Sequence, residues 1–103
     1  MRMSREIKFR AWDKQADEPY MFNMDLVGYH LSNRFEVMQY TGLKDLTGKD
    51  IYEDDILEQQ TEWGGAVTTL RKVVKWNTSG WNIRNGNTRV VIGNVWENPE
   101  LGQ

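Results

Sequence analysis

Hydrophobic positions along this chain recur at every second residue more often than every 3.6, which predicts strands in place of helices. Residues 6–12 set Ile7, Phe9 and Ala11 against Lys8, Arg10 and Trp12, the alternation of a half-buried strand. Trp12 falls among the polar positions, so the outer face of this strand is expected to be covered as well. Residues 13–19 are polar and turn-like, and the apolar run 20–24 reads as the return strand of a hairpin. Residues 25–34, around Gly28, fit either a strand or an irregular segment. Alternation resumes over 35–40, with Phe35, Val37 and Gln39 opposite Glu36, Met38 and Tyr40.

Turn chemistry divides the rest. Gly42 and Gly48 punctuate 41–52, and Glu53-Asp54-Asp55 forms a tight acidic turn before a strand over 56–60. Trp63-Gly64-Gly65 reads as a loop. Residues 66–76, rich in Val and Thr, read as one strand with Lys72, Val74 and Trp76 on one face and Arg71, Val73 and Lys75 on the other. A turn over 77–80, a short strand over 81–84, the hairpin dipeptide Asn85-Gly86 and a last strand over 89–96 follow, before Asn98-Pro99 closes the pattern. About seven short strands at such spacing predict a mainly β fold, a compact barrel or sandwich, with helix limited to a single turn.

Length and composition narrow the class further. A chain of 103 residues is one domain's worth. Five tryptophans within an aromatic content of 12% supply the large buried areas that so small a core needs. The absence of cysteine excludes disulfides, Cys-based zinc sites, iron–sulfur clusters and thiol catalysis, and suits a reducing cytoplasm. No apolar run approaches the roughly 20 residues that span a bilayer, and the basic N-terminus precedes no signal-like segment, so neither membrane insertion nor secretion is expected. With a pI near 5.4 the chain is not a general nucleic-acid coat, although a local basic patch remains compatible with that value.

Two blocks carry a family resemblance. Gln39-Tyr40-Thr41-Gly42-Leu43-Lys44-Asp45, followed by Gly48-Lys49-Asp50-Ile51-Tyr52-Glu53 and Asp55-Ile56, resembles the central signature of the YopX family of bacteriophage proteins. The opening Arg5-Glu6-Ile7-Lys8-Phe9-Arg10-Ala11-Trp12-Asp13 and the closing Val91-Ile92-Gly93-Asn94-Val95-Trp96-Glu97-Asn98-Pro99-Glu100-Leu101 resemble the family's terminal blocks. The resemblance implies a phage or prophage protein in the cytoplasm of a bacterial host, a single YopX-like domain over 1–103 and an SH3-like β barrel at its centre. It implies no catalytic residues. The sequence departs from the family where Glu-Gly-Asp is usual and Glu53-Asp54-Asp55 stands here, placing aspartate at a backbone position that normally takes glycine. Aspartate tolerates the left-handed region better than most residues, so the turn is expected to survive.

No catalytic constellation emerges, and the expectation is a protein that is not an enzyme and uses neither cofactor nor metal. His30 is the only histidine, too few for the usual zinc site. Ser4, Ser32 and Ser79 have no histidine placed to activate them, and Gly64-Gly65 lacks the Lys-Ser/Thr of a phosphate loop. Asp45, Asp50, Glu53, Asp54, Asp55 and Glu58 read as a solvated acidic patch, their spacing unlike an EF-hand. Charge is nonetheless polarised. Residues 45–58 hold six acids and one base, and residues 63–96 hold five bases and no acid. Complementary patches of this kind suit assembly between copies, so a homo-oligomer is one expectation. The candidate binding surface is Arg71, Lys72, Lys75, Trp76, Trp81, Arg84 and Arg89. Its expected partner is a host or phage protein, the alternative being single-stranded nucleic acid, whose phosphates would meet the cations and whose bases would stack on the tryptophans.

Overall fold

The computed structural model describes residues 7–24, 34–78, 80–83 and 89–102. Among them the alternating segments become nine strands. These are β1 (Phe9–Asp13), β2 (Tyr20–Met24), β3 (Phe35–Lys44), β4 (Asp50–Tyr52), β5 (Asp55–Trp63), β6 (Ala66–Val73), β7 (Trp76–Asn77), β8 (Gly80–Trp81) and β9 (Val90–Asn94), followed by a 3₁₀ turn at Pro99–Gly102. Every pairing is antiparallel, in sheets ordered β2-β1-β3-β4, β6-β5-β9 and β7-β8. The fold is mainly β and curls as a half-barrel. The ambiguous segment 25–33, Arg84 and the Asn85-Gly86 hairpin signal lie outside the described residues.

Both faces of the first sheet are covered, as Trp12 suggested. Phe22 packs edge-on against Phe35 with ring centroids 5.8 Å apart, on the side where Ala11 is buried. The opposite face, which alternation marks as polar, carries Lys8 and Arg10 alongside Met38 and Tyr40, both buried. Lys8 Nζ lies over the Tyr40 ring and the Arg10 guanidinium over the Tyr52 ring, each 4.6 Å from the centroid, so their cationic heads cover the aromatic faces. The buried face of β3 is therefore the Met38–Tyr40 side. Beside it, Ile51, Leu57, Val74 and Ile83 form the core, with Leu43, Trp81 and Val91 packed around them.

The corner between β4 and β5 joins the sheets. Glu53 N–H donates to Gln39 C=O (2.9 Å), Asp54 N–H to Val74 C=O (2.9 Å), Val74 N–H to Asp55 C=O (2.9 Å) and Val95 N–H to Asp54 C=O (3.0 Å). Asp54 and Asp55 thus oppose the single residue Val74, and Asp54 has φ 70°. This is a β-bulge whose first position is left-handed and normally glycine, and the aspartate at the family's glycine position adopts that conformation. The bulge also explains why 66–76 is not one regular strand. Val74 turns fully inward while Trp76, two residues on, is 61% exposed, so the two do not share an environment as simple alternation predicts.

The loop predicted at Trp63-Gly64-Gly65 is tighter than expected. Gly64 (φ 60°) and Gly65 (φ 83°) are both left-handed, and they make a two-residue turn of the primed kind that continues the strand twist. Trp63 pairs with Ala66, so β5 runs beyond residue 60 to the turn itself.

Candidate interaction surface

The acidic residues of 45–58 are mostly internal ties. Asp45 is buried. Its Oδ1 accepts from Thr47 N–H (2.8 Å), the Thr47 hydroxyl (2.7 Å) and Lys49 N–H (2.9 Å), and its Oδ2 accepts from Val91 N–H (2.9 Å). Burial alone would raise its pKa, but these donors together hold it down to about 2. Asp50 is flanked by Lys8 and Lys44. Burial works against its charge, and the two lysines still bring its pKa below the usual carboxylate value.

Asp55 is 1% exposed. It accepts from Arg10 Nη2 (2.7 Å) through Oδ1 and from Tyr52 N–H (2.8 Å) through Oδ2. Burial pushes its pKa up, and Arg10 opposes that rise. Asp54 is also buried, bonded to Lys75 Nζ through Oδ1 and to Trp96 Nε1 (2.9 Å) through Oδ2. Glu53 is half-buried, its pKa raised by burial and then by the neighbouring Asp54 charge. Glu58 pairs with Arg71 at 3.1 Å. The solvated acidic patch expected from sequence is thus corrected: Asp45, Asp54 and Asp55 are buried, because backbone donors and cations from β1 and from the chain after β6 converge on them. Among the described residues no group of three or more His, Cys, Asp or Glu is arranged to hold a metal ion.

The basic candidates do not form one patch. Arg71 and Lys72 occupy opposite faces of β6. Arg71 is engaged by Glu58 and Lys75 by Asp54, so the acidic and basic segments meet within the chain at these pairs. Arg89 Nε donates to Gln59 Oε1 (3.2 Å). Trp76 and Trp81 are cross-strand partners on the β7–β8 hairpin, edge to face with centroids 5.0 Å apart. Trp81 leans on the core and Trp76 stays open.

The most exposed large apolar side chain among the described residues, Trp63, lies elsewhere. β9 pairs with β5 only from Asp55 to Glu58, so past that point β5 and β6 continue as a two-stranded arm. On it Trp63 is 88% exposed, Val67 62% and Leu70 52%. One face carries Gln59, Thr61 and Trp63 beside Ala66, Thr68, Leu70 and Lys72, with Arg89 reaching Gln59. Among the described residues this face carries no acid. The other carries Glu58, Gln60 and Glu62 beside Val67, Thr69 and Arg71. Trp63 was not among the sequence candidates, although Gly-Gly flanked by β-prone residues is the signal that places it on a strand.

A cavity of about 400 Å³ lies at the other end of β5, lined among others by Arg10, Lys49, Asp55, Asn94, Glu97 and Asn98. Its polar groups largely hold one another: Asn94 Oδ1 accepts from Trp96 N–H (3.0 Å) and Glu97 N–H (2.8 Å), and Asn94 Nδ2 donates to Glu97 Oε1 (2.8 Å).

Comparison with known proteins bears on this architecture. The family model described as YopX protein matches residues 23–102. The crystal structure of protein EF1440 from Enterococcus faecalis is similar, with a TM-score of 0.63 at 22% identity over 97% of this chain and 100% of that one. At that identity the likeness speaks for the fold alone. No curated protein matches the sequence.

Proposed function

The chain belongs to the YopX family, and from that premise we propose that it is a non-enzymatic phage or prophage accessory protein, a small β-barrel interaction module that binds a host or phage protein in the bacterial cytoplasm. The projecting β5–β6 arm supports this reading most directly. Exposed Trp63 and Leu70 share one face of an element that contributes little to the core, with Val67 exposed on its other face, and exposed apolar side chains gathered on one projecting element of a small domain mark an interaction site. Tryptophan is the residue most often dominant in such contacts, where truncation costs about 2 kcal/mol or more. Asp45, Asp50, Asp54 and Asp55 are occupied as structural acceptors, which favours a binding role. No helix among the described residues is long and apolar enough to cross a membrane.

Affinity capture from infected or lysogenic cells with the wild-type chain and with Trp63→Ala, followed by mass spectrometry, tests the reading. A protein retained by the wild type and lost with Trp63→Ala, both chains melting at the same temperature, supports it. Equal capture by both chains refutes the arm as the docking element. The second reading, single-stranded nucleic acid, is favoured by the acid-free face on which Trp63, Lys72 and Arg89 lie. It predicts quenching of tryptophan fluorescence by oligonucleotides at low salt that fades at physiological salt. No quenching at low salt ends it.

A further inference from the structure

The outer edge of β6 has no neighbouring strand among the described residues. Unpaired edges template further strands, and proteins ordinarily guard them with proline, a bulge, a central lysine or a covering element. Here Ala66-Val67-Thr68-Thr69-Leu70 is uncharged, free of proline and in regular register with β5 throughout.

The turn fixes which backbone groups face outward. In a two-residue hairpin the flanking residues, Trp63 and Ala66, exchange both hydrogen bonds, and the bonded pairs then alternate along the ladder. Thr61–Thr68 and Gln59–Leu70 are therefore bonded pairs. Val67, Thr69 and Arg71 aim their N–H and C=O groups away from β5.

We infer that β6 pairs antiparallel with β6 of a second copy about a two-fold axis at Thr69. This register sets Val67, Thr69 and Arg71 against Arg71, Thr69 and Val67 of the second copy, completing about six hydrogen bonds between outward-facing groups. Moving the axis to Arg71 would oppose two like charges and leave Val67 unmatched. At the Thr69 axis the charges are complementary. Across one face the row reads Glu58, Arg71, then Val67 and Glu62 of the second copy, so each arginine has its own Glu58 on one side and an uncharged Val67 on the other, with the second copy's Glu62 beyond it and no like charge in the row. On the other face Lys72 meets Ala66 of the second copy, next to its Trp63. The interface is isologous and closes at two chains, giving one continuous sheet of six strands. This goes beyond the proposed partner binding, which uses the Trp63 face and not the edge.

Sedimentation velocity on the full chain, from about 5 to about 300 µM, tests the pairing, since a small interface of this kind is of micromolar strength. The wild type is expected to shift from monomer to dimer across that range. Thr69→Pro removes an outward N–H and no bond within the chain, and should raise the dissociation constant at least tenfold. Thr69→Lys and Thr69→Glu chains, each alone, should remain monomeric because like charges meet at the axis, and an equal mixture should associate again. Circular dichroism establishes that each variant keeps its fold. A wild type that stays monomeric at the highest concentration, including one that binds an oligonucleotide or another protein as a monomer, overturns the inference. So does a dimer indifferent to all three substitutions. Because Thr69→Pro leaves Trp63 in place, loss of the dimer with retained capture separates this result from failure of the proposed function.

Discussion

Replacing Asp54 by glycine restores the family's usual residue at the bulge and sets two effects against each other. Relief of the left-handed conformation is worth about 1 kcal/mol, and the extra freedom glycine gives the unfolded chain cancels about 0.5–1 kcal/mol of that gain. The backbone contribution is therefore close to zero. What remains is the side chain. The bond from Trp96 Nε1 to a charged, buried acceptor is worth about 1.5–3 kcal/mol. The Lys75 pair adds at most a few tenths, because Lys75 is more than half exposed and screened. Asp54→Gly should thus destabilise by about 2–3 kcal/mol. Asp54→Asn, which tolerates the same φ and keeps a neutral acceptor for Trp96, should lose about 1 kcal/mol. Urea unfolding followed by tryptophan fluorescence gives both values, and at this size each kcal/mol also lowers Tm by about 4–8 °C. Asp54→Gly as stable as the wild type, or more so, would refute the reasoning, since strain and not the side-chain bonds would then dominate.

Acid should weaken the fold through Asp45. Its folded pKa of about 2 lies below the ordinary 3.8, so the stability it contributes, about 2 kcal/mol, is present above pH 4 and lost as pH falls towards 2. A flat stability profile between pH 4 and 2 argues against that role. Arg10→Met strands the buried Asp55 carboxylate and should cost about 3–5 kcal/mol. Its deficit should shrink as pH falls, because Asp55, already pushed up by burial, then rises further and tolerates burial when protonated; a deficit independent of pH would contradict this. Gly93→Ala places a methyl 2.4 Å from Asn98 Oδ1 and should cost about 1–3 kcal/mol. The same change in an Asn98→Gly background should cost clearly less, and equal costs would show the crowding to be harmless.

Much of the fold is legible because alternation survives wherever one sheet face meets the core. The apolar run 20–24 coincides with β2 (Tyr20–Met24), and the strand signals at 35–40 and 89–96 fall on β3 and β9. What misleads is charge. Lys8, just before β1, and Arg10 on it share the polar phase yet turn towards Asp50 and Asp55, some forty residues away, which receive them. Composition reads those aspartates as solvated, since nothing local reveals that cations and backbone donors close around them. Asp54 is the exception, where the family comparison placed an aspartate in a glycine's conformation and the backbone bears it out. In the interaction surface, Trp76 and Trp81 were found through their basic neighbours, whereas Trp63 has none beside it in sequence and becomes part of the surface only when the hairpin pairs it with Ala66.

The β4–β5 corner divides the molecule's opening motions. Amides of Glu53, Asp54, Val74 and Val95 bind carbonyls drawn from separate parts of the chain, so releasing any of them means separating the sheets, and their protons should exchange with solvent only through global unfolding. Among the described residues the arm beyond Glu58 is held by the β5–β6 ladder and, at its base, by the Arg89–Gln59 bond, so it can fray from its tip while the corner stays shut. Deuterium uptake along β5 should therefore form a gradient, slow at Ile56 and fast at Trp63, so that the residues offered to a partner are also the first to move.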